Sequence, residues 1–202
     1  MPPSTPRIIS PDTTRSNRLP PRQSETRKWP VLHAGSVPDV DLATWDLEVF
    51  GLVAESRRWN WQAFRALPAV EVLADMHCVT RWSQLNMTWT GVAVRELMSH
   101  VTLLSPAKYV LVHAEHGWTT NMPLADFLQD DCVLAWAANG HDLTPDHGWP
   151  LRLVIPRLYA WKSAKWVRKI ELLERDRPGY WERGGYHMRG DPWTESRFRD
   201  DA

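Results

Sequence analysis

Apolar and polar residues alternate in short stretches along this chain, and the alternation predicts strands. Trp45, Leu47 and Val49 alternate with acidic residues up to Gly51, as expected for a strand with one buried face. Similar or continuously apolar runs predict further strands, at 70–74, 110–112, 133–137, 151–155 and 170–173. The run at 70–74 leads toward Cys78, so this cysteine is predicted to lie where a strand becomes a loop.

Helical spacing of apolar residues is confined to short segments. It predicts helices at 61–67, 94–101 and 123–128. Several short strands with irregular connections favour an α+β fold, because a doubly wound parallel sheet needs a helix at each crossover. We therefore expect a single domain of mixed β-sheet with short helices.

The first 28 residues differ in composition from the rest of the chain. They contain Pro, Ser, Thr and Arg but few large apolar side chains, so they bury too little surface to offset the entropy lost on ordering. We expect a flexible N-terminal tail or a surface arm at 1–28, followed by one domain at 29–202. A chain of 202 residues is long enough for one such core and short for two.

Charge and hydropathy argue against several classes of protein. The 24 Lys and Arg residues balance the 24 Asp and Glu residues, so no overall field attracts nucleic acid or an anionic membrane. Because no apolar run reaches the roughly 20 residues of a membrane span, we expect neither a membrane span nor a nucleic-acid partner. Cys78 and Cys132 lie in unrelated contexts and form no disulfide framework or metal knuckle. Reduced thiols indicate a cytoplasmic location.

Aromatic residues are unusually frequent. The chain has 13 tryptophans, which either fill a core or wall a pocket around a flat ligand, and core packing is the more common outcome. Rings and cations concentrate in the run PRLYAWKSAKW at 156–166. Such cations hold phosphate groups, and such rings stack on heterocycles. Taken alone, the run is compatible with a solvated face, a site for an anionic cofactor or a nucleic-acid surface.

Five segments carry the most specific pattern in the chain. They are LPPRQSETRKWPVLHAGSVP (19–38), ADMHCVTRW (74–82), NGHDLTPDHGWPLRLVIP (139–156), LYAWKSAKW (158–166) and RPGYWERGGYHMRGDPW (177–193). Together they resemble the molybdopterin-binding domain of the sulfite oxidase family. The resemblance is closer to its short bacterial members, which are related to the methionine sulfoxide reductase catalytic subunit. It implies the sulfite oxidase fold and a molybdenum–molybdopterin cofactor with one pyranopterin per metal.

The resemblance implies ligands for the metal and for the pterin phosphate. Cys78 matches the cysteine whose thiolate binds molybdenum in this family, although a lone cysteine is more often a small buried side chain. Cations and hydroxyl or backbone donors hold the phosphate in the family. The matching residues here are Arg152, Ser163, Ala164 and Lys165.

Further contacts are implied by neighbouring positions. His33, His113 and His147 match or lie near cofactor contacts, whereas the plain alternative for His33 and His113 is a hydrogen-bonded histidine at a strand end. Arg81 is a candidate catalytic residue that orients the substrate oxygen, and a surface arginine is the alternative.

The resemblance implies an oxidoreductase that transfers one oxygen atom and two electrons to or from a small molecule. In animal sulfite oxidases an arginine and a tyrosine line the substrate pocket at positions where Ser83 and Trp136 stand here. This difference argues against sulfite and leaves a sulfoxide- or oxyanion-like substrate. A separate redox protein is expected as electron donor or acceptor. The alternative function is a non-catalytic module that binds or stores the molybdenum cofactor.

The aromatic segment at 180–193 has three possible roles. Its rings include Trp181, Tyr186 and Trp193. We expect them to pack in the core, to cover the pocket or to dock the redox partner.

Overall fold

The computed structural model describes residues 5–200, which fold mainly into strands. The strands are β1 (Arg7–Ile9), β2 (Ser24–Glu25), β3 (Asp46–Gly51), β4 (Arg57–Asn60), β5 (Ala69–His77), β6 (Trp82–Ala93), β7 (Tyr109–Ala114), β8 (Thr119–Pro123), β9 (Val133–Ala138), β10 (His141–Asp142), β11 (Arg152–Val154) and β12 (Val167–Leu173). The short α-helices are α1 (Trp61–Arg65), α2 (Val94–Ser99), α3 (Leu124–Phe127) and α4 (Tyr180–Arg183). Single turns of 3₁₀-helix form at Pro11–Thr14, Glu115–Gly117, Pro145–His147 and Ala160–Lys162.

The strands form two mixed sheets. The larger sheet has the order β1-β5-β6-β9-β10, with β2 added beside β6 and β11 beside β9. The smaller sheet has the order β4-β3-β12-β7-β8. Each sheet contains parallel pairs among antiparallel ones, such as β1 with β5 and β3 with β12. The predicted α+β fold with mixed sheets and short helices is confirmed.

The main hydrophobic core takes side chains from both sheets. Leu47 and Ile170 of the smaller sheet and Val92 and Leu134 of the larger sheet are fully buried in it. A second cluster, which includes Trp89, also draws on β5, β6 and β9 of the larger sheet. That sheet is therefore covered on both faces.

Strand β9 shows how double coverage changes a sequence pattern. Its residues VLAWAA are all buried. Leu134 and Trp136 belong to the main core, whereas Val133 and Ala135 belong to the second cluster. Because successive side chains of a strand point to opposite faces, a strand buried on both faces has a continuous apolar run instead of an alternating one.

Of the two expectations for the N-terminus, a flexible tail or a surface arm, the structure has the arm for residues 5–28. These residues form an arm along the larger sheet, where β1 pairs in parallel with β5 and β2 with β6. Polar contacts attach the arm: Arg18 makes two hydrogen bonds to the buried Asp75, and Ser10 Oγ donates to Asp131 over 2.7 Å. The low apolar content of this segment therefore did not reveal that polar contacts order it. Residues 1–4 of the predicted tail lie outside the described residues.

Strand β6 is a second difference from the sequence prediction, which contains no strand at 82–93. It is 12 residues long, but its alternation is interrupted. Asn86 has a φ of 58°, and the pairing with β5 shifts register between Ala74 and Met76. Such a bulge moves side chains to the other face and hides the period of two.

No helix in residues 5–200 has the length and apolar character needed to cross a bilayer.

Candidate functional site

Cys78 lies in a tight loop between β5 and β6, as the sequence predicts. The loop is closed by two hydrogen bonds, from Cys78 N to Trp82 O and from Arg81 N to Cys78 O, each 2.9 Å long. Arg81 takes a left-handed conformation with a φ of 73°. The ends of two long paired strands therefore hold the cysteine backbone in place.

Residues from both ends of the chain hold this loop from outside. Gln23 Nε2 donates to Cys78 O over 2.9 Å, and Gln23 is itself buried. Arg197 Nη1 donates to Val79 O over 2.6 Å. The N-terminal arm and the C-terminal segment thus converge on the same loop.

The Cys78 side chain is 7% exposed and faces a cavity. Burial raises the pKa of its thiol, and a hydrogen bond from Thr80 Oγ1 to Sγ, 3.2 Å long, opposes that rise. Without a positively charged partner the thiol is therefore protonated at neutral pH. A bound metal cation would stabilise the thiolate.

The cavity has a volume of about 270 Å³. Its lining comes from five separated parts of the chain, at 29–34, 76–82, 118, 152–166 and 181–186. Six tryptophans contribute to the wall, namely Trp29, Trp82, Trp118, Trp161, Trp166 and Trp181. Pocket lining is thus one role of the many tryptophans, beside the core packing of residues such as Trp45 and Trp89.

Arg152 and Lys165 bring two cations to one side of the cavity. Arg152 is 3% exposed, and its guanidinium donates to His147 O over 2.8 Å and to Ser163 O over 3.2 Å. Its Nε is buried without a hydrogen-bond partner. Within residues 5–200 neither cation forms an ion pair with a carboxylate.

The pKa values of both Arg152 and Lys165 are lowered, as expected for buried cations without a carboxylate partner. Burial lowers the pKa of Arg152 to about 9. Burial, followed by repulsion from Arg152, lowers the pKa of Lys165 to about 7. Lys165 Nζ donates to Asp146 O over 2.5 Å and lies 3.4 Å from Nδ1 of His33, whose own pKa is lowered by burial and by Lys165. Two desolvated cations facing one cavity favour binding of an anion.

The loop beside the cation pair depends on Gly148. Its φ is 110°, and a Cβ at this position would lie 3.1 Å from Cβ of both Arg152 and Lys165. Glycine therefore lets the backbone pass between the two cations. The same loop supplies the His147 carbonyl that accepts from Arg152.

Of the other predicted phosphate ligands, Ser163 lines the cavity and Ala164 does not. Ser163 Oγ accepts a hydrogen bond from Ile155 N over 3.0 Å, while its carbonyl accepts from Arg152. Ala164 is buried, and its carbonyl accepts from Leu153 N. Both residues hold the cation pair in position through the backbone.

The predicted histidines have different locations. His33 lines the cavity. His147 stacks on Trp29 with ring centroids 3.7 Å apart and is not part of the lining. His113 lies on the smaller sheet, where Nε2 contacts Glu171 Oε2 at 2.8 Å, so it does not reach the cavity.

Three further predicted pocket residues also lie outside the lining. Arg81 is exposed. Ser83 is buried and hydrogen-bonded to His77 Nδ1 at 2.8 Å. Trp136 packs in the main core against Phe64 and is therefore not available to a substrate.

Sequence reasoning left the role of the C-terminal segment open, and in the structure Trp181 and Tyr186 line the cavity. A buried ion pair attaches this segment: Lys162 Nζ donates to Glu182 Oε1 over 2.5 Å, and both side chains are fully buried. Gly190 also contributes, because a Cβ there would lie 2.6 Å from the Trp161 ring. The concentration of rings in RPGYWERGGYHMRGDPW was the available sequence signal.

The chain is similar to several known proteins. The model of the family described as "Oxidoreductase molybdopterin binding domain" matches residues 34–181. "Uncharacterized oxidoreductase YuiH" of Bacillus subtilis is 49% identical over 188 residues, which cover 93% of this chain and 95% of that protein. "Putative protein-methionine-sulfoxide reductase subunit YedZ1" of Azospira oryzae is 30% identical over 76% of this chain and 58% of its own length.

A solved structure shares the fold. The sulfane dehydrogenase SoxCD from Paracoccus pantotrophus superposes with a TM-score of 0.64 and 21% identity, over 69% of this chain and 41% of that one. The predicted resemblance to the sulfite oxidase molybdopterin-binding fold is thereby confirmed.

Proposed function

The chain belongs to the oxidoreductase molybdopterin-binding domain family, and we propose that Cys78 is the one protein ligand to its molybdenum while Arg152 and Lys165 bind the pterin phosphate. It is an oxidoreductase whose cofactor is molybdenum–molybdopterin. When bound, this group supplies two-electron oxygen-atom-transfer chemistry.

The observation that carries the proposal is the uncompensated cation pair in the same cavity as a buried thiol. Arg152 is almost fully buried, keeps an unsatisfied Nε, and has no carboxylate partner among residues 5–200. A buried cation of this kind is costly unless an anion neutralises it. A terminal phosphate fits this requirement and would restore the charge of Lys165.

Cys78 has the properties of a metal ligand for different reasons. Its backbone is fixed by the paired ends of β5 and β6, and Sγ faces the cavity. Thr80 Oγ1 already donates to the sulfur, which stabilises a thiolate and modulates a bound metal. Cys132 lacks these features, because it is fully buried in the main core.

The lining supports an uncharged, dipolar oxide as substrate in preference to an oxyanion. Apart from Arg152 and Lys165, the only ionisable cavity residues in the described chain are His33, Cys78 and Tyr186. With both cations occupied by phosphate, no cation remains for a sulfite-like dianion. Aromatic rings instead offer contacts for the apolar substituents of a sulfoxide. Arg81 has no part in this proposal because it is exposed and outside the lining.

Two predictions about the cellular setting belong to the same proposal. The electrons come from, or pass to, a separate redox protein, and the location is cytoplasmic. The location rests on the two free thiols, Cys78 and Cys132.

Metal and pterin analysis of protein purified from cofactor-producing cells tests the ligands. The wild type is expected to hold about one molybdenum per chain. Cys78→Ser should lose most of the metal, whereas Arg152→Gln should lose metal and pterin together because the phosphate site is gone. Cys132→Ser is the matched control and should retain both. Full molybdenum content in Cys78→Ser would rule out the proposed ligation.

A further inference from the structure

Tyr186 places a phenol in the wall of the cavity that contains Cys78. Burial raises the pKa of its phenol. The hydroxyl is therefore kept protonated near the thiol. Tyr186 is the only tyrosine in the described lining of this cavity.

The Tyr186 ring is fixed by other aromatic side chains. Trp161 meets it edge to face at 5.1 Å, Trp181 lies at 5.1 Å with a tilt of 35°, and Phe198 meets it edge to face at 5.4 Å. Its backbone N donates to Trp181 O over 3.1 Å. Packing on several sides leaves the ring little freedom, so the position of its hydroxyl is set before any ligand arrives.

The hydroxyl itself is uncommitted. Among the hydrogen bonds of residues 5–200, none uses Tyr186 Oη, and the atom is not among the fully buried polar atoms that lack a partner. Tyr186 thus lines the cavity with a ring held by its neighbours and a hydroxyl that has no hydrogen-bond partner within residues 5–200. Trp161 Nε1, by contrast, is already bonded to Glu182.

The segment that contains Tyr186 is attached by a second set of contacts. Lys162 Nζ donates to Asn121 Oδ1 and to Met188 O, in addition to Glu182. The buried ammonium therefore connects the run that includes Ser163 and Lys165 to the segment with Tyr186. These contacts join the side of the cavity that carries Lys165 to the side that carries Tyr186.

We propose that Tyr186 is a catalytic residue, whose hydroxyl donates a hydrogen bond to the oxygen of an uncharged sulfoxide or N-oxide, with Trp161 and Trp181 packed against the substituents. The inference rests on the proposed function. In the reductive direction the S–O or N–O bond breaks, the sulfur or nitrogen gains two electrons, and the oxygen leaves as water with two protons. Tyr186 Oη delivers one proton and regains it from solvent, solvent supplies the second proton, and the separate redox protein supplies the two electrons.

The experiment compares Tyr186→Phe with Tyr180→Phe in the cofactor-loaded protein. Tyr186→Phe removes one hydroxyl and retains the ring packing. Tyr180→Phe is the matched control, since Tyr180 is in the same segment, is 43% exposed and does not line this cavity. Molybdenum content, steady-state reduction of methyl phenyl sulfoxide with a reduced dye, and the tryptophan-fluorescence Kd for that sulfoxide are measured for each.

In Tyr186→Phe we expect unchanged molybdenum, a Kd raised several-fold and a kcat/KM lowered about tenfold to a hundredfold, as for loss of one donor to a reacting oxygen. Tyr180→Phe should match the wild type in all three. Equal Kd and kcat/KM in wild type and Tyr186→Phe would overturn the role of Tyr186 alone. A fully loaded wild type that neither binds nor reduces any sulfoxide or N-oxide would overturn the proposed substrate class, and the Tyr186 inference with it.

Discussion

The N-terminal arm and the C-terminal segment both donate hydrogen bonds to the Cys78 loop, but they are attached to the rest of the protein by different means. The arm is attached mainly by polar contacts, such as the hydrogen bonds from Arg18 to Asp75 and from Gln23 to Cys78 O. The C-terminal segment is attached by packed rings and by the buried pair of Lys162 and Glu182. Polar attachments depend on a few bonds, each of which can be removed separately, whereas ring packing spreads the stabilisation over many contacts.

The largest effect is expected from breaking the buried pair of the C-terminal segment. Glu182→Gln leaves Lys162 without a carboxylate in a site where both side chains are fully buried. The unfolding free energy, measured by urea denaturation, should fall by about 3–5 kcal/mol. Glu174→Gln, at an exposed position of the same region, is the control and should change little. If Glu182→Gln were no more harmful than Glu174→Gln, the ion pair would not be what attaches this segment.

A smaller loss is expected at the corresponding contact of the arm. Arg18→Ala leaves the fully buried Asp75 carboxylate with a hydrogen bond from Asn86 N as its remaining contact. Because Arg18 is partly exposed, we expect a loss of about 2 kcal/mol in the unfolding free energy. Arg7→Ala removes an exposed pair with Glu71 in the same arm, and its effect should stay within about 0.5 kcal/mol. Equal effects of the two arginine variants would contradict a specific role for Asp75.

The next effect is the pH dependence of anion binding at the cation pair, where Lys165 lies beside His33 of the chain that follows the arm. In the cofactor-free protein the pKa of Lys165 is lowered to about 7, below its value in the unfolded chain. Protonation of Lys165 therefore opposes folding, and a bound anion favours the protonated form. As pH rises from 6 to 8, Lys165 loses its charge, and sulfate, a dianion throughout this range, should bind about tenfold more weakly.

Sulfate affinity is measured from the rise in Tm of the cofactor-free protein. Lys165→Arg should bind sulfate with little dependence on pH, since arginine stays charged. In the absence of sulfate, Lys165 makes the wild type more stable as pH rises above 7, because the unfolded chain then binds the additional proton. A pH-independent sulfate affinity in the wild type would show that Lys165 is not the titrating group.

The smallest effect is expected at the loop itself. Gln23→Met keeps the length of the side chain but removes the donor to Cys78 O. We expect a loss of about 1 kcal/mol in the unfolding free energy and a faster release of molybdenum on dilution. Gln129→Met removes a hydrogen bond to Ala125 O on an exposed surface and should leave metal release unchanged. Identical release rates in both variants would show that the arm does not position the loop.

Local patterns predicted those parts of the fold that depend on neighbours in sequence. The alternation of Leu47 and Val49 predicted β3, and the run toward Cys78 predicted its position at a strand end. The arm could not be predicted in this way, because its order comes from bonds such as Arg18 to Asp75, which join residues far apart in the chain.

Prediction of the candidate site was limited in the same way, because it also depends on residues far apart in the chain. Arg152 and Lys165 were identified through the resemblance, and the structure brings both to one cavity with Cys78. His113 was misplaced because strand alternation puts it on the face opposite Val112, where it contacts Glu171. The role of Tyr186 was left open because its contribution depends on the folding of a segment more than 100 residues from Cys78.

The five-part lining of the cavity has a consequence for biosynthesis. Residues at both 29–34 and 181–186 are needed to complete it, so a nascent chain cannot enclose the cofactor before residue 186 has been synthesised and folded into place. Insertion must therefore follow synthesis of both segments, and chains that have not yet received the cofactor wait in the cofactor-free state. Since a ligand that binds only the folded state stabilises that state by mass action, those waiting chains will be the ones most readily degraded.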